Sequence, residues 1–494
     1  MNIETGLTLS LTPGVASRLA RHPLLTEATL TRERVIDTYY DTPDQRLRHD
    51  QVILQYRRKG SCRRASVSKA GPGDSQDAEK MEWEVAGEPG EFNFSQVADS
   101  GLRRCLESLR QDLQLAFTTS VTRSTWLLEP RTDVRIELAL DRGWILCEGR
   151  RQAICELGLE LLSGTAGDLF SAASELQNDL SLHPETSSKF QRGYRVLAEE
   201  SLQAVKAVAV QTSAGMSANT AFRTIALACL KHLQDNEKGV RECDEPEFVH
   251  QARVAIRRLR SAIRIWGSLL PEAFVNSFDP QWQTLAGQLG EVRNWDVFLT
   301  ETLPTIAAAF PDSSASTRLS NYAQRRCAIN RDAARSALQS DDYSRLLLKF
   351  TAAVLALPDS EARRLDVFAP ACLEKRAKQV RQKAAEALAG DATERHRLRV
   401  AYKRLRYALE FFAPLFPGEL LRNYHLSASG LQDILGRLND LAVAVLFTEE
   451  ALPGGPGEAI RNWLKTQTKG LLPEFYGQLR HFHQHPVPWR NTGR

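Results

Sequence analysis

The chain has 494 residues, enough for two or three domains with full hydrophobic cores. Its formal net charge is only +4, so its overall charge does not indicate a general nucleic-acid coat. The eight cysteines are scattered without a C-x-x-C pair, which argues against structural zinc and a disulfide framework and favours a reducing compartment. The sequence has no signal-peptide pattern and no apolar run near the about 20 residues that span a bilayer, so we expect a cytoplasmic protein without membrane contact.

The N-terminal part, up to about residue 197, alternates apolar and polar residues with the period of half-buried strands. In Val134–Asp141, one face carries Val, Ile, Leu and Leu and the other Arg, Glu, Ala and Asp. Two helices are predicted at about 13–20 and 167–180. The pattern alone leaves two folds open: an antiparallel sheet with one wet face, or a closed or nearly closed sheet around a polar tunnel.

From about residue 221 the periodicity is helical, with breaks at Pro271, 311–314, 358–359 and 452–457. We therefore expect an α+β multidomain protein whose C-terminal part is all-α. The predicted boundaries are a first domain at 1–200, a linker at 201–219 and a helical domain at 220–485. Two repeats divide the helical domain, at about 220–355 and 365–485.

A basic helical segment occurs twice in the helical part. The first copy begins at His250 and the second at His396, an offset of 396 − 250 = 146 residues. A Leu-Gly pair recurs at 289 and 435, and 435 − 289 gives the same 146. Because two separate stretches keep one register, the sequence indicates a duplicated structural unit.

Each copy places its cations on one side of a helix, within an arc of roughly 80° at about 100° per residue. No acidic residue lies between Gln251 and Arg264, whereas an ordinary solvated face intersperses acids with bases. The first stripe is about 21 Å long at about 1.5 Å per residue, which suits a polymeric anion better than a small one. The predicted anion-binding residues are His250, Arg253, Arg257, Arg260, Arg264, His396, Arg399, Lys403 and Arg406, with Lys375 and Arg376 as secondary candidates that could equally form a solvated helix face.

Each stripe begins with a histidine, His250 or His396. A histidine beside arginines should have a lowered pKa until an anion binds, and the alternative is a packing or helix-start role. Asp296 and Asp440, with the neighbouring asparagines at 294 and 439, are candidates either for acceptors that orient arginines or for helix caps.

These segments resemble the CHAD domain, an α-helical domain named for its histidines. The resemblance rests on the repeated basic segment and on Leu289–Val297 and Leu435–Asp440, and it covers about residues 216–485. It implies two four-helix bundles related by a pseudo-two-fold axis, with a basic groove between them that binds inorganic polyphosphate and requires no cofactor. Association with polyphosphate granules is a further expectation.

The N-terminal part resembles the CYTH superfamily of triphosphate tunnel enzymes, and fusion of the two modules is known in bacteria. Its landmarks include Tyr39–Pro43, Glu82–Glu84, Glu137–Asp141 and Ser188–Tyr194. The resemblance implies a tunnel in which carboxylates hold Mg or Mn and cations clamp phosphate oxygens. The implied catalytic candidates are Glu82, Glu84, Arg57, Lys69, Arg123 and Lys189, and the implied metal ligands are Glu4, Glu82, Glu84, Glu156 and Glu160.

Four positions depart from the tunnel family's charged pattern. Asn2 and Gly158 stand where the family has carboxylates, and Gly6 and Gln55 stand where it has cations. Loss of one positioned charge commonly costs a factor of about 10² to 10³ in such sites. The departures therefore predict a tunnel with impaired catalysis.

Three functions follow as hypotheses. The leading one is polyphosphate binding by the helical half, with an impaired tunnel domain. The second is an active Mg- or Mn-dependent inorganic triphosphatase or polyphosphate hydrolase. The third is nucleic-acid binding, which we do not expect, because Tyr402 and Tyr407 are the only tyrosines or phenylalanines that interrupt the stripes.

Overall fold

The computed structural model describes residues 6–26, 28–69, 80–84, 90–311, 313–358, 364–389, 391–416 and 418–490. The chain divides into two compact units. One consists of Met1–Leu202 with Asp341–Leu355, and the other of Gln203–Ser340 with Ala356–Arg494. No helix within these ranges is both long and apolar enough to cross a membrane.

Strands are confined to the first unit of the described chain. In chain order they are β1 (Gly6–Ser10), β2 (Leu30–Asp41), β3 (Val52–Lys59), β4 (Cys62–Lys69), β5 (Lys80–Glu84), β6 (Gln114–Arg131), β7 (Val134–Cys147), β8 (Arg150–Ser163) and β9 (His183–Pro184). They form one antiparallel sheet in the order β5-β4-β3-β2-β6-β7-β8-β1-β9.

Helices flank this sheet and make up the second unit. In chain order they are α1 (Pro13–Leu19), α2 (Arg46–His49), α3 (Ser100–Leu109), α4 (Ala166–Asp179), α5 (Lys189–Ala198), α6 (Ala218–Glu242), α7 (Pro246–Trp266), α8 (Glu272–Val297), α9 (Leu303–Ala309), α10 (Ser314–Leu338), α11 (Asp341–Leu355), α12 (Leu365–Ala389), α13 (Ala392–Phe412), α14 (Glu419–Ala451) and α15 (Gly455–Gln484).

One face of the sheet, which we call the helix face, packs on helices in two areas. Leu138 and Leu157 belong to a core that includes residues of α1 and α4. Leu54 and Tyr56 belong to a second core that includes Leu106 of α3. Alternation along the strands places Asp37, Arg57, Arg123, Asp141 and Glu156 on the opposite face, which we call the polar face.

Helix α5 covers part of the polar face through a close approach at Gly193. A Cβ at this position would lie 2.1 Å from the ring of Phe117, so only glycine lets the helix sit this close to β6. Ser188 caps the helix by accepting a hydrogen bond from the backbone N–H of Gln191 at 3.1 Å. The cap and the close contact fix the side chains of α5 that point towards the sheet.

The second unit contains two sets of four long helices, α6, α7, α8 and α10, then α12, α13, α14 and α15. Both bounds of α13 lie 146 residues after those of α7, since 392 − 246 and 412 − 266 both equal 146. The equivalent residues Trp266 and Phe412 contact each other, with ring centroids 5.3 Å apart. Contact between equivalent residues is expected near a pseudo-two-fold axis.

The predicted fold class is confirmed: an N-terminal antiparallel sheet with flanking helices precedes an all-α part. The predicted helices near 13–20 and 167–180 correspond to α1 and α4. One segment differs from the sequence-based division. Asp341–Leu355, assigned from sequence to the end of the first repeat, forms α11 and belongs to the first unit, because Leu348 enters the core on the helix face of the sheet.

Candidate functional site

Helices α7 and α13 carry the two predicted stripes. Beside its cations, α7 carries an apolar stripe that is buried: Ile256, Leu259, Ile263 and Trp266 are at most 1% exposed. Burial of this stripe holds the cationic side of the helix at a fixed angle in the bundle. Asp391 caps α13 by accepting from the backbone N–H of Thr393 at 2.6 Å.

Four cations from the two helices lie close enough for their charges to act on one another, and we call them the central cluster: Arg253, Arg257, Arg399 and Lys403. Arg253 Nη1 donates to the carbonyl oxygen of Gly290 at 3.1 Å, and Arg257 Nε donates to the Tyr407 hydroxyl. Within the described ranges, none of the four forms an ion pair with a carboxylate. The cluster therefore gathers three arginines and one lysine without an acidic partner among the described residues.

Burial and the charges of neighbouring arginines both lower pKa values in the cluster. Burial, followed by the charges of Arg257, Arg399 and Arg293, lowers the pKa of Arg253 to about 10. Burial, followed by the charges of the three clustered arginines, lowers the pKa of Lys403 to about 6, against a partial opposing effect of Asp440. An added anion would relieve both the desolvation and the repulsion.

The far end of the first stripe is neutralised within the second unit. Asp279 of α8 accepts from Arg260 Nε at 3.0 Å and from Arg264 Nη2 at 3.1 Å. Arg260 Nη2 also donates to Gln283 Oε1 at 2.8 Å. The expectation that the whole stripe is free of acids holds along α7 but not across to α8, so Arg260 and Arg264 are weaker candidates than the central cluster.

The second stripe ends differently. Arg406 lies over the ring of Tyr407, with its guanidinium carbon 4.6 Å from the ring centroid. The residue equivalent to Arg264 is Glu410, since 264 + 146 = 410, and it pairs with the buried Arg258 at 2.7 Å. Arg258 therefore has a structural role in joining α7 to α13, although it lies within the repeated basic segment.

The two stripe histidines have different surroundings. Burial and the charge of Arg293 lower the pKa of His250, the direction expected from the sequence. His396 is exposed, with Nδ1 3.4 Å from Asn439 Oδ1, and it lines a cavity of about 80 Å³ together with Arg395 and Arg399.

Among the secondary candidates, Arg376 donates to the carbonyl oxygen of Arg264 at 3.1 Å and to Gln379 Oε1 at 3.3 Å, while Lys375 is exposed.

Asp296 does not orient a stripe arginine. It is buried and accepts from Arg331 Nη2 of α10 at 2.6 Å.

In the first unit, the polar face brings several predicted residues together. Asp37 on β2 accepts two hydrogen bonds from Arg57, at 2.7 and 3.0 Å. Asp141 on β7 accepts two from Arg123, both at 2.8 Å. Strand register explains these pairs, since Asp37 lies opposite Arg57 and Asp141 lies opposite Arg123.

Helix α5 completes the network on this face. Lys189 Nζ bridges Asp141 and Glu156, with 2.8 Å to Glu156 Oε1, and Arg192 donates to Glu156 Oε2. Burial acts to raise the pKa of Asp141, but hydrogen bonds from Arg123 and the charge of Lys189 outweigh it and lower that pKa. Asp37 and Arg192 were not among the candidates. The local pattern gave no signal for Asp37, because it shares its strand face with Val35 and Tyr39, which are mainly apolar.

The described carboxylates do not fit a metal ion. Within the described ranges, no group of three or more His, Cys, Asp or Glu residues is arranged to hold one. Glu156 is used by two cations of α5, and Glu82 lies 3.8 Å from Arg64. Glu84 and Glu160 are exposed, and Glu4 lies outside the described residues. The described residues therefore do not form a metal site that could support hydrolysis.

The prediction that Lys69 is a clamp residue beside Arg57 and Arg123 is wrong. It lies opposite Val52, whose side chain is in the core with α3, whereas Gln55 and Arg57 lie opposite Ser66 and Arg64. The side chain of Lys69 is therefore on the helix face, away from Arg57 and Arg123.

An antiparallel sheet with a charged face, followed by duplicated helical bundles with a basic cluster, defines a protein of two structural parts. A family model for the CYTH domain matches residues 12–194, and one for the CHAD domain matches residues 224–448. The chain thus contains a CYTH domain followed by a CHAD domain.

The crystal structure of the CHAD domain from the plant Ricinus communis is 31% identical, with a TM-score of 0.52, over 58% of this chain and 99% of that chain. An inorganic triphosphatase of Haemophilus influenzae is 26% identical over 204 residues, which are 39% of this chain and 54% of the relative. The match thus spans about half the length of that curated relative. PptA from Streptomyces chartreusis aligns over 54% of this chain with 16% identity and a TM-score of 0.43.

Proposed function

We propose that the helical half binds inorganic polyphosphate through the central cluster. The observation that carries the proposal is that Arg253, Arg257, Arg399 and Lys403 lie together without an acidic partner among the described residues. Burial, and after it the charges of neighbouring arginines, lowers the pKa of Arg253, Arg399 and Lys403. Holding like charges together in a partly buried place costs free energy, which a bound polyanion offsets.

The chemistry of the cluster suits phosphate. Guanidinium groups are planar and always charged, and they can bind phosphate oxygens with two parallel hydrogen bonds. Cations contributed by two helices suit a ligand that carries charge at many points along its length. Long polyphosphate chains meet this requirement, and binding to them would place the protein on polyphosphate granules.

The test is titration of long-chain polyphosphate into the wild type and a variant with Arg253, Arg257, Arg399 and Lys403 changed to glutamine. We expect at least a 100-fold loss of affinity, and wild-type binding that weakens steeply with salt. A control variant changes Arg318, Arg325, Lys465 and Lys469 to glutamine. These four basic residues are exposed on α10 and α15, and the number of residues changed to glutamine is the same. Equal affinities of both variants would refute the proposal.

Nucleic acid is the competing polyanion at the same cluster. Tyr402 and Tyr407, which could have offered stacking surfaces for bases, are both buried. We therefore expect polyphosphate to displace single-stranded RNA at equal phosphate concentration. The reverse order of affinities would favour the nucleic-acid hypothesis.

For the first unit, membership of the CYTH family supports a triphosphate-tunnel function, and we propose that its catalysis is impaired. The carboxylates Asp37, Asp141 and Glu156 already pair with Arg57, Arg123, Lys189 and Arg192, which leaves these groups less free for substrate or metal. The alternative, an active metal-dependent inorganic triphosphatase, is supported by the likeness to the Haemophilus influenzae enzyme. Phosphate release from tripolyphosphate with Mg²⁺ or Mn²⁺ that disappears in Glu82→Gln would establish the alternative.

A further inference from the structure

Between the two helix-packed areas of the helix face lies a strip that no described helix covers. Strand register places Arg34 and Ile36 of β2 on this strip, opposite Thr122 and Ser120 of β6. Arg58 of β3 lies opposite Ile36. The covering cores end on either side of these residues, at Tyr40 and Tyr56 in one direction and at Leu140 in the other.

The strip continues across the next two strands. Arg142 and Trp144 of β7 follow Leu140 on the same face, and Arg151 of β8 lies opposite Leu146. The side chains of Arg142, Trp144 and Arg151 are all exposed, and Trp144 has 42% of its surface accessible. The Arg151 guanidinium carbon is 4.6 Å from the centroid of the Trp144 ring, so the indole holds this arginine in place.

Four arginines on this strip have no acidic partner among the described residues, and we call them the exposed arginine strip: Arg34, Arg58, Arg142 and Arg151. Within the described part of the chain, none forms an ion pair, and Arg34 Nη2 donates only to Ser120 Oγ, at 3.3 Å. The polar face of the same strands is the opposite case, because Arg57 and Arg123 there each bind a carboxylate with two hydrogen bonds.

The strip has the length and shape for an extended ligand. From β3 to β8 the sheet order gives four strand spacings, or about 19 Å at about 4.8 Å each. A crevice of about 610 Å³ lies at its β3 end, lined by Arg34, Ile36 and Arg58 among others. Glu33, also in this lining, is paired with Lys59 at 2.8 Å and so adds no net negative charge.

We propose that the exposed arginine strip is a second polyphosphate-binding surface, carried by the sheet and separate from the central cluster; the identity of the ligand rests on the proposed function above. Guanidinium groups spaced across several strands match a flexible chain with one charge per phosphate. Single-stranded nucleic acid fits less well, because Trp144 is the only aromatic side chain among the strip residues described here, and Arg151 already lies against its ring.

The experiment measures long-chain polyphosphate binding by the full chain after the central cluster has been changed to glutamine. We expect residual binding that falls about tenfold or more when Arg34, Arg58 and Arg142 are also changed to glutamine. The control adds glutamine at Arg18, Arg21 and Arg104 instead, three exposed arginines of the first unit, and should retain the residual binding. Loss of all binding in the cluster variant alone, or residual binding that both triple changes reduce equally, would overturn the proposal.

The strip is also tested in the wild-type background, so that misfolding of the cluster variant cannot hide the result. Changing Arg34, Arg58 and Arg142 should lower the amount of polyphosphate bound at saturation, whereas the control triple should not. An unchanged saturation value contradicts the second surface and leaves the central-cluster proposal standing. Residual binding of single-stranded RNA but not polyphosphate would assign the strip to nucleic acid and overturn the ligand proposed for it.

Discussion

Lys403 shows how the surroundings of a single residue connect the cluster to proton binding. Its pKa is lowered to about 6 by burial and by Arg257, Arg399 and Arg253, and only Asp440 acts in the other direction. Above pH 6 the amine is therefore largely neutral in the free protein. A polyanion placed beside it favours the charged form and raises this pKa again.

We predict that polyphosphate binding takes up protons at pH 8. Because the bound state holds more protons, affinity should rise as pH falls towards 6 and level off below it, apart from a contribution from His250, whose pKa is also lowered. Calorimetric titration in HEPES and in Tris measures the uptake, since the two buffers differ in ionisation enthalpy. Equal binding enthalpies in both buffers would contradict the prediction.

Lys403→Arg is the matched variant. An arginine keeps its charge at pH 8, so binding should persist while uptake falls by as much as one proton. If this variant still took up the full number of protons on binding, a group other than Lys403 would be the one that is protonated.

At the scale of residues, the sequence predicted the two basic stripes but not which of their cations have acidic partners on other helices. Arg253, Arg257, Arg399 and Lys403 were identified from spacing along two helices, and their lack of a described acidic partner supports that choice. Asp279 could not be anticipated as the partner of Arg260 and Arg264, because it lies on another helix and local spacing says nothing about contacts between helices. The role of Arg258 was hidden for the same reason: its partner, Glu410, is on α13.

At the scale of elements, α8 limits the cationic side of α7. Asp279→Asn should free Arg260 and Arg264 while keeping the size of the side chain. We predict polyphosphate binding that is tighter by about threefold or more. The slope of log affinity against log salt concentration should also become steeper, by the release of about one more counterion. Glu419→Gln makes the same charge change at an exposed position of α14 and should leave both quantities nearly unchanged. Similar effects of the two substitutions would indicate net charge rather than release of the two arginines.

The strands of the first unit show a different limit of sequence reasoning. The resemblance grouped Arg57, Arg123, Glu82 and Glu156 in one site. Strand register places all four on the polar face, because the side-chain period of a strand is two. The resemblance could not show that the carboxylates are already engaged, since those pairs depend on strand register and on α5 packing against β6 through Gly193. Lys69 failed as a candidate because it was carried over from family landmarks without its strand parity.

At the scale of the whole molecule, the two compact units do not follow the order of the chain. Helix α11 lies between α10 and α12 in sequence, yet it belongs to the unit that contains the sheet. Helical periodicity predicted α11 as a helix but could not assign it, since an apolar face does not specify which core covers it. Ser181 Oγ donates to Asp341 at the start of α11, and His183 Nδ1 is 2.7 Å from Ser344 Oγ, so polar contacts add to the apolar ones.

Leu348→Ala tests this assignment, because Leu348 of α11 is 2% exposed in the core that also contains Leu169 and Phe170 of α4. Truncating a buried leucine costs about 2–5 kcal/mol, and here we expect the loss to destabilise the unit that contains the sheet. Hydrogen exchange should accelerate in α4 and leave α7 protected. Leu338→Ala, at a fully buried position of α10, is the matched control and should accelerate exchange in the helical unit instead. Faster exchange in α7 after Leu348→Ala, with α4 unchanged, would return α11 to the helical half, where sequence alone had placed it.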